Sequence, residues 1–433
     1  MYRIIVIGGG WSGCAAALAA RKAGAEVTLL EKTDLLLGLG NVGGIMRNNG
    51  RYTAAEENIA LGADELFRIT DRCSRHVNVD FPGHKHASLY DVLKVEPQVR
   101  RLLEEMGVAV YTIARGIDVE LEKEDFPEGG RFLRSILLAD GRKIEGDAFV
   151  ETTGSTGPMG NCLAYGNGCC MCILRCPAFG PRVSISQKAG LHDIMGQRKD
   201  GAFGAFSGSG KLEKGSLSKE IRQELDEKGV VLLPIPPEYQ IPEKLHLKVC
   251  QQYALPEYAE NIILLDTGYA KIMTPFFTLE SVRKISGLEN ARYADPYAGG
   301  KGNSIRYLSV AEREDQMRVK GIQNLFCGGE KSGLFVGHTE AISTGTLAGY
   351  NAARYLKGLR LLELPSQLAI GDLISYANRQ LQSEEGRKTR YTFAGSGYFK
   401  RMQEKGLYST DRGEIFRRVK KYDLNGIYQE KFL

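Results

Sequence analysis

The chain has 433 residues, 43% of them hydrophobic and 25% charged, with a net charge of +5. That length suits two or three domains of about 150 residues and can bury a full core without disulfide staples. The modest positive charge permits nucleic-acid contact without arguing for it, and no apolar run approaches the roughly 18 residues of a membrane-spanning helix.

"MYRIIVIGGG" enters a strand at once and carries no small-residue cleavage site, so the chain reads as cytoplasmic, without a membrane partner. Arg3 to Ile7 is a short apolar run, hence a buried strand. Gly8, Gly10 and Gly13 follow as G-x-G-x-x-G, and Ala15 to Lys22 is rich in helix formers. Gly24 ends that helix, and "AEVTLLE" is a second strand. One glycine allows the tight turn, one lets the backbone approach a pyrophosphate, and one lets helix and strand pack closely. The helix start offers free N–H groups and a positive dipole end to the phosphates. Glu31 closes the second strand, where a carboxylate accepts bonds from ribose hydroxyls and disfavours a 2'-phosphate.

Within "VLKVEPQVRRLLEEMGVAVYTIA" a helix leads through Gly107 into a strand. "LLADGRKIEGDAFVETTGS" holds a strand, a turn at Asp140-Gly141, and an apolar strand ending at Thr152, Thr153 and Gly154. Such an ending is how many flavoproteins with two dinucleotide-binding domains return to the cofactor. Farther on, Leu325 to Cys327 is a strand running into Gly328, Gly329 and Glu330, and Thr339 to Tyr355 is a helix with small residues on one face, preceded by Gly337 and His338. This resembles the last FAD segment of those flavoproteins. There the acid contacts the ribityl chain and the helix start points at the flavin, whose reduced form is anionic. His338 opens that helix and is a candidate hydrogen-bond partner of the flavin or proton donor beside it.

Two stretches carry a narrower resemblance. "FFTLESVRKISGLENARYADPYAGGKGNSIRYL", Phe276 to Leu308, and "GGEKSGLFVGHTEAISTGTLAGYNAA" are similar to the GidA family of flavoproteins. That family includes the glucose-inhibited division protein A enzymes of tRNA wobble-uridine modification and the folate-dependent tRNA uracil methyltransferases. "LGLGNVGGIMRNNGRY", with Gly43 and Gly44, matches the family's glycine-rich flavin-side loop. The resemblance spans about 1–155 and 270–355. It departs from the family at Ile342, in the short C-terminal region, and at the folate site, whose residues have no clear counterpart. It implies an α/β, Rossmann-like two-dinucleotide-binding-domain flavoprotein with an inserted second domain and a short α-helical C-terminal tail. The expected division is 1–155 FAD domain, 156–319 inserted cysteine-rich or substrate domain, 320–356 FAD domain return, and 357–433 basic helical region.

"GNGCCMCILRCP" crowds Cys169, Cys170, Cys172 and Cys176 together, with Cys162 upstream, among nine cysteines in all. Clustered thiols in a cytoplasmic chain are redox-active or metal-bound more often than disulfide-paired. C-x2-C-x3-C-P reproduces the end of the bacterial ferredoxin run, and Cys162 supplies a fourth thiolate for a 4Fe-4S cluster. The competing readings are a reactive thiol or dithiol, with Cys169, Cys172 or Cys176 exchanging electrons with the flavin or attacking substrate, and zinc or plain burial. The Cys176-Pro177 pair resembles a Cys-Pro of the division-protein family, which favours the thiol. Cys14, Cys73, Cys250 and Cys327 are read as core residues.

Gly201 to Ser216 is glycine- and serine-rich and reads as a mobile loop, and "LLPIPPEYQIPEKL" as an extended connection. His84 and His86 are spaced as metal ligands but read better as surface or pocket residues. From Arg387 onward 12 Lys and Arg stand against 5 Asp and Glu, interleaved with Tyr391, Phe393, Tyr398, Phe399, Tyr408, Phe416, Tyr422 and Tyr428. That pattern suits single-stranded nucleic acid or, equally, amphipathic helices packed on the flavin domain. Three functions stay open: an FAD oxidoreductase with a cysteine redox centre, a flavin-dependent tRNA or rRNA uridine-modifying enzyme, and a non-catalytic FAD scaffold or sensor. The substrate is a small molecule or RNA, and a homodimer is compatible with each.

Overall fold

The computed structural model describes residues 2–123, 130–154, 179–206, 210–248, 250–274, 277–294, 305–395 and 397–433. The cluster from Cys162 to Cys176 lies outside the described residues.

β1 (Arg3–Ile7), α1 (Trp11–Lys22) and β2 (Glu26–Leu30) form where the alternation of apolar strand, glycine turn and alanine-rich helix predicts them. β1 is central in a parallel five-stranded sheet, ordered Leu325–Cys327, Ala148–Glu151, β1, β2, Ala109–Tyr111. Val6 pairs with Val150 on one side and Leu29 on the other. The strands are nearly continuous apolar runs because both sheet faces are covered. One face carries α1 and the helix His338–Leu356, which follow the small-residue pattern to close contact. A Cβ on Gly345 or Gly349 would run into the α1 backbone at Ser12 or Ala16. The other face, through Ile5, Ile7, Phe149 and Leu325, packs on Leu133, Ile136 and Leu138 of a three-stranded antiparallel sheet.

The insertion builds a four-stranded antiparallel sheet in the order Lys211–Leu212, Ala270–Ile272, Asn261–Asp266, Val230–Pro234. Helix Lys219–Lys228 sits on one of its faces through Ile221 and Leu225. Ile263 and Leu265 turn the other way, onto Val79, Phe81, Ala87 and Leu89 of the hairpin Ser74–Phe81 and His84–Tyr90. An early segment of the chain therefore backs the late insertion, and strand Asp193–Met195 pairs with Ser309–Ala311.

The described residues within 201–216 differ from the mobile loop expected there. Ala205–Phe206 pairs with Ile305–Arg306, and Lys211–Leu212 with Ala270–Ile272. Partners far away in sequence override the local glycine content. The proline-rich stretch is an edge strand, Val230–Pro234, followed by two 3-10 turns that each open on proline.

The C-terminal region adds helices Ala369–Gln380, Glu384–Lys388, Phe399–Glu404 and Arg412–Lys420. Its aromatics are not a stacking platform. Tyr391, Phe393, Tyr398 and Tyr428 are buried, while Phe399, Tyr408 and Tyr422 pack against the main core. Among them Phe416 is the exposed one, at 45%. The end of the chain is tied to the C-terminal end of helix Gly50–Ala60 by Gly426 N–H to Ala60 O and Tyr428 N–H to Leu61 O. Among the described residues no helix is long and apolar enough to cross a membrane.

Candidate dinucleotide and active site

One cavity runs along the C-terminal ends of the parallel strands. Gly8, Gly10, Glu31, Thr153 and Gly154 line it at one part, and Gly43, Gly329, Glu330, Gly337 and His338 at another. This is where open α/β sheets bind ligands, outside the carboxyl ends of the strands.

Local geometry explains the glycines. Gly8 sits at φ +106°, and a Cβ there would meet Thr152 O at 2.5 Å. Gly13 would clash with Gly8 O. A Cβ on Gly10 or Gly154 would meet nothing within 4 Å, so both leave open space at the cavity wall. Glu31 is nearly buried and held in place: Gly9 N–H donates to Oε2 at 2.7 Å, and Thr33 N–H to Oε1 at 2.8 Å. Thr33 Oγ1 also donates to Oε1, at 3.0 Å, and Glu31 lines the cavity.

Not every predicted residue reaches the cavity. Gly13 and Gly44 stand behind it and serve close packing. Thr339 is fully buried, its hydroxyl on Met46 Sδ at 3.2 Å. Cys14, Cys73 and Cys327 are core residues as expected. Cys250 is half-buried and lines the cavity. His84 is buried between Asn48 Nδ2 at 2.8 Å and Gln252 O at 3.1 Å, which occupies both ring nitrogens. Neither nitrogen is left for a metal, and burial lowers its pKa to about 3, so the ring stays neutral. His86 turns to Asn78 Oδ1 instead. Among the described residues no group of three or more His, Cys, Asp and Glu is arranged to hold a metal ion.

His338 lines the cavity at the start of its helix. Its Nδ1 is 2.9 Å from Tyr90 Oη, which lies 2.6 Å from Gly40 O. Tyr90 has one hydroxyl proton, and the shorter contact to a carbonyl takes it. The Nδ1–H of His338 then donates to Tyr90, so proton exchange by this ring runs through Nε2.

Several wall residues were missed because only the tertiary fold brings them here. Arg182 is buried, with Nε and Nη2 each 3.1 Å from Thr153, at O and Oγ1. Burial lowers its pKa, and Glu151, Asp193 and Glu330 oppose that. Lys271 reaches the carbonyls of Val42 and Gly43, and Lys211 that of Asn41, so the insertion clamps the glycine-rich loop. Lys248, Gln252 and Tyr253 also line the wall. No spacing marks these residues in the sequence.

The residues fit FAD on two observations. The cavity leaves a cradle at Gly10 and Gly154 that a Cβ would begin to fill. Ser12 Oγ, Arg182 Nη1 and Gln252 Oε1 are buried on its wall without a partner among the described residues. Buried polar groups of this kind find partners in a bound polar ligand.

Residues 3–231 and 267–360 match the family described as glucose inhibited division protein A. The solved GidA of Aquifex aeolicus shares the fold, with a TM-score of 0.64 at 16% identity, over 97% of this chain and 76% of that one. The tRNA uridine 5-carboxymethylaminomethyl modification enzyme MnmG of Desulfotalea psychrophila is 32% identical over 125 residues, which are 29% of this chain and 19% of that protein. The methylenetetrahydrofolate–tRNA-(uracil-5-)-methyltransferase TrmFO of Bacillus cytotoxicus is 31% identical over 140 residues, 32% of this chain and 30% of its own. The matched stretches thus span less than a third of these curated relatives. Because the family match runs through both parts of the cavity and most of the insertion, the chain belongs to the glucose inhibited division protein A family.

Proposed function

We propose that the chain is an FAD-dependent enzyme that modifies a uridine base in RNA. The observation that carries this reading is a single cavity lined both by the Glu31–Gly10 turn and by the His338 helix start, in a chain whose curated relatives act on tRNA uridine. Glu31 accepts from the ribose hydroxyls, and the N–H groups at the start of α1 take the pyrophosphate. The start of His338–Leu356 favours negative charge beside it, and His338 Nε2 holds or moves a proton. When bound and reduced by an external hydride donor, the flavin would supply the electron pair that one-carbon chemistry at uridine consumes, and would return to oxidised FAD. The test is to give reduced, FAD-loaded protein a methylene-tetrahydrofolate donor with unmodified tRNA and rRNA transcripts, then to digest and weigh the nucleosides. A uridine heavier by the transferred carbon unit is expected. Unchanged nucleosides in every transcript would reject the RNA substrate while leaving the FAD reading standing.

A second reading concerns the cysteines. Five of them fall between Gly154 and Arg182, both of which line the cavity. That order in the chain supports a redox unit at the flavin, either a 4Fe-4S cluster or a thiol. Anaerobic protein with iron and sulfide, lost in Cys172→Ala and Cys176→Ala while FAD stays, would fix the cluster. Iron-free protein whose same variants lose turnover would fix the thiol. Iron-free protein with full turnover in Cys169, Cys172 and Cys176 variants would reject both.

A further inference from the structure

Lys248 is a buried lysine with no carboxylate partner among the described residues. It is 3% exposed and lines the cavity. Its ammonium donates to Met273 O and sits 5.3 Å from the ring centroids of both Tyr253 and Tyr258. One carbonyl and two aromatic faces leave part of its three-donor capacity unused. Burial lowers its pKa to about 8. A buried ammonium without a counter-charge is costly, and a fold keeps one where a ligand completes its bonding.

Four residues on stands Gln252, 7% exposed and on the same wall. Its amide Oε1 is buried without a partner among the described residues. The turn that carries it is held from behind. Its carbonyl meets His84 Nε2 at 3.1 Å, and Tyr253 lies against the rings of His84 and Phe81. On another side Gly395 leaves no room for a Cβ against the Gln252 side chain. The backbone and Cβ of Gln252 are therefore fixed, and its primary amide offers an acceptor and a donor side by side.

We propose that Lys248 and Gln252 form a subsite for an imide edge, a carbonyl beside a ring N–H. The ammonium takes the carbonyl, and the Gln252 amide oxygen takes the N–H. This subsite rests on the proposed function, since two imide edges would be present in that enzyme: the uracil of the substrate and the pyrimidine ring of the flavin. The chemistry is the same for both, and measurement separates the sources.

The test uses FAD-loaded protein with Lys248→Met and Gln252→Leu, which remove the polar groups and keep most of the side-chain volume. UMP and N3-methyl-UMP are titrated against the flavin absorption. FAD affinity of the apoprotein and the flavin midpoint potential are measured alongside, with melting curves to confirm folding. If the uracil is the occupant, each variant weakens UMP by about tenfold or more and leaves FAD affinity and potential unchanged. N3-methylation should then weaken binding to wild type but make no further difference in Gln252→Leu. If the flavin is the occupant, UMP is unaffected, FAD weakens by a similar factor, and the potential falls in Lys248→Met, which has lost the positive charge that favours the reduced anion. Folded variants in which UMP affinity, FAD affinity and potential all match wild type would overturn the subsite and leave the proposed function intact. Wild-type protein that binds neither FAD nor UMP would overturn both.

Discussion

Arg51 Nε lies 3.0 Å from Glu340 Oε2, and both side chains are buried. Glu340 belongs to the first turn of the helix that starts at the cavity, and its Oε1 also accepts from Thr392 Oγ1 at 2.7 Å and Phe393 N–H at 2.9 Å. Arg51 donates to Val336 O at 2.8 Å and Asn48 Oδ1 at 2.9 Å. One ion pair thus joins the early helix Gly50–Ala60, the cavity-side helix start and the C-terminal region. It also offsets a carboxylate that would repel an anion at that helix start.

Arg51→Ala leaves Glu340 as an uncompensated buried charge, which costs about 3–5 kcal/mol. Urea denaturation of wild type and variant would read it directly. A loss under about 1 kcal/mol, the range of an exposed pair, would mean that Thr392 and Phe393 hold the carboxylate by themselves.

Gly10 and Gly13 separate binding from folding. Gly10→Val places its side chain in open space at the cavity wall, so the apoprotein should melt as wild type while FAD affinity falls about tenfold or more. Gly13→Ala drives a methyl into Gly8 O and should lower the melting temperature as well. Equal FAD binding by the folded Gly10→Val protein would remove this turn from the cofactor site.

Glu57 carries a pH dependence. It is fully buried, and Ala369 N–H at 2.8 Å and Ile370 N–H at 3.0 Å cap a helix on its carboxylate. Burial nevertheless raises its pKa from 4.5 to about 7. The folded state therefore favours the protonated form. This contribution to stability is full below pH 4.5 and is lost as the pH rises through about 7. Integrated over that window it is on the order of 3 kcal/mol. Glu57→Gln should be insensitive to this window, so its stability relative to wild type rises between pH 4.5 and 7.5. An identical difference at both ends, by urea denaturation, would contradict the buried-carboxyl account.

If RNA is the substrate, the basic C-terminal surface should contact it through charge rather than stacking. Lys400 and Arg412 have exposed side chains, at 90% and 67%. Replacing either by Gln should reduce the slope of log affinity against log salt by about one. Deleting residues 387–433 should unfold the protein instead of merely weakening RNA binding, because Tyr391, Phe393, Tyr398 and Tyr428 belong to the core. A folded, FAD-binding truncation would show that this region is separable.

The dinucleotide turn was legible because its demands are local. Gly8, Gly10 and Glu31 answer to one turn and one strand end, and Gly154 and Gly337 to other strand and helix ends. Arg182, Lys248, Gln252 and Lys271 were not legible, because each reaches the cavity from the insertion through contacts far apart in sequence. Thr339 was misread since only packing decides which side of a helix start meets the cavity. The basic-aromatic tail was ambiguous for a related reason. The same composition serves a surface that stacks bases and a helix that buries its rings, and contacts such as Tyr428 N–H to Leu61 O settle the second. The loop at Gly201 to Ser216 hid its strands because their partners lie some 60 to 100 residues on.

The cavity lined by Glu31 and His338 is proposed to hold FAD. The most direct measurement is to denature purified, FAD-reconstituted and desalted protein and to identify and quantify the flavin it releases. FAD at about one per chain is expected for a single dinucleotide cavity, and little in Gly10→Val. Reconstituted protein that releases no FAD, or Gly10→Val protein that releases as much as wild type, would contradict it.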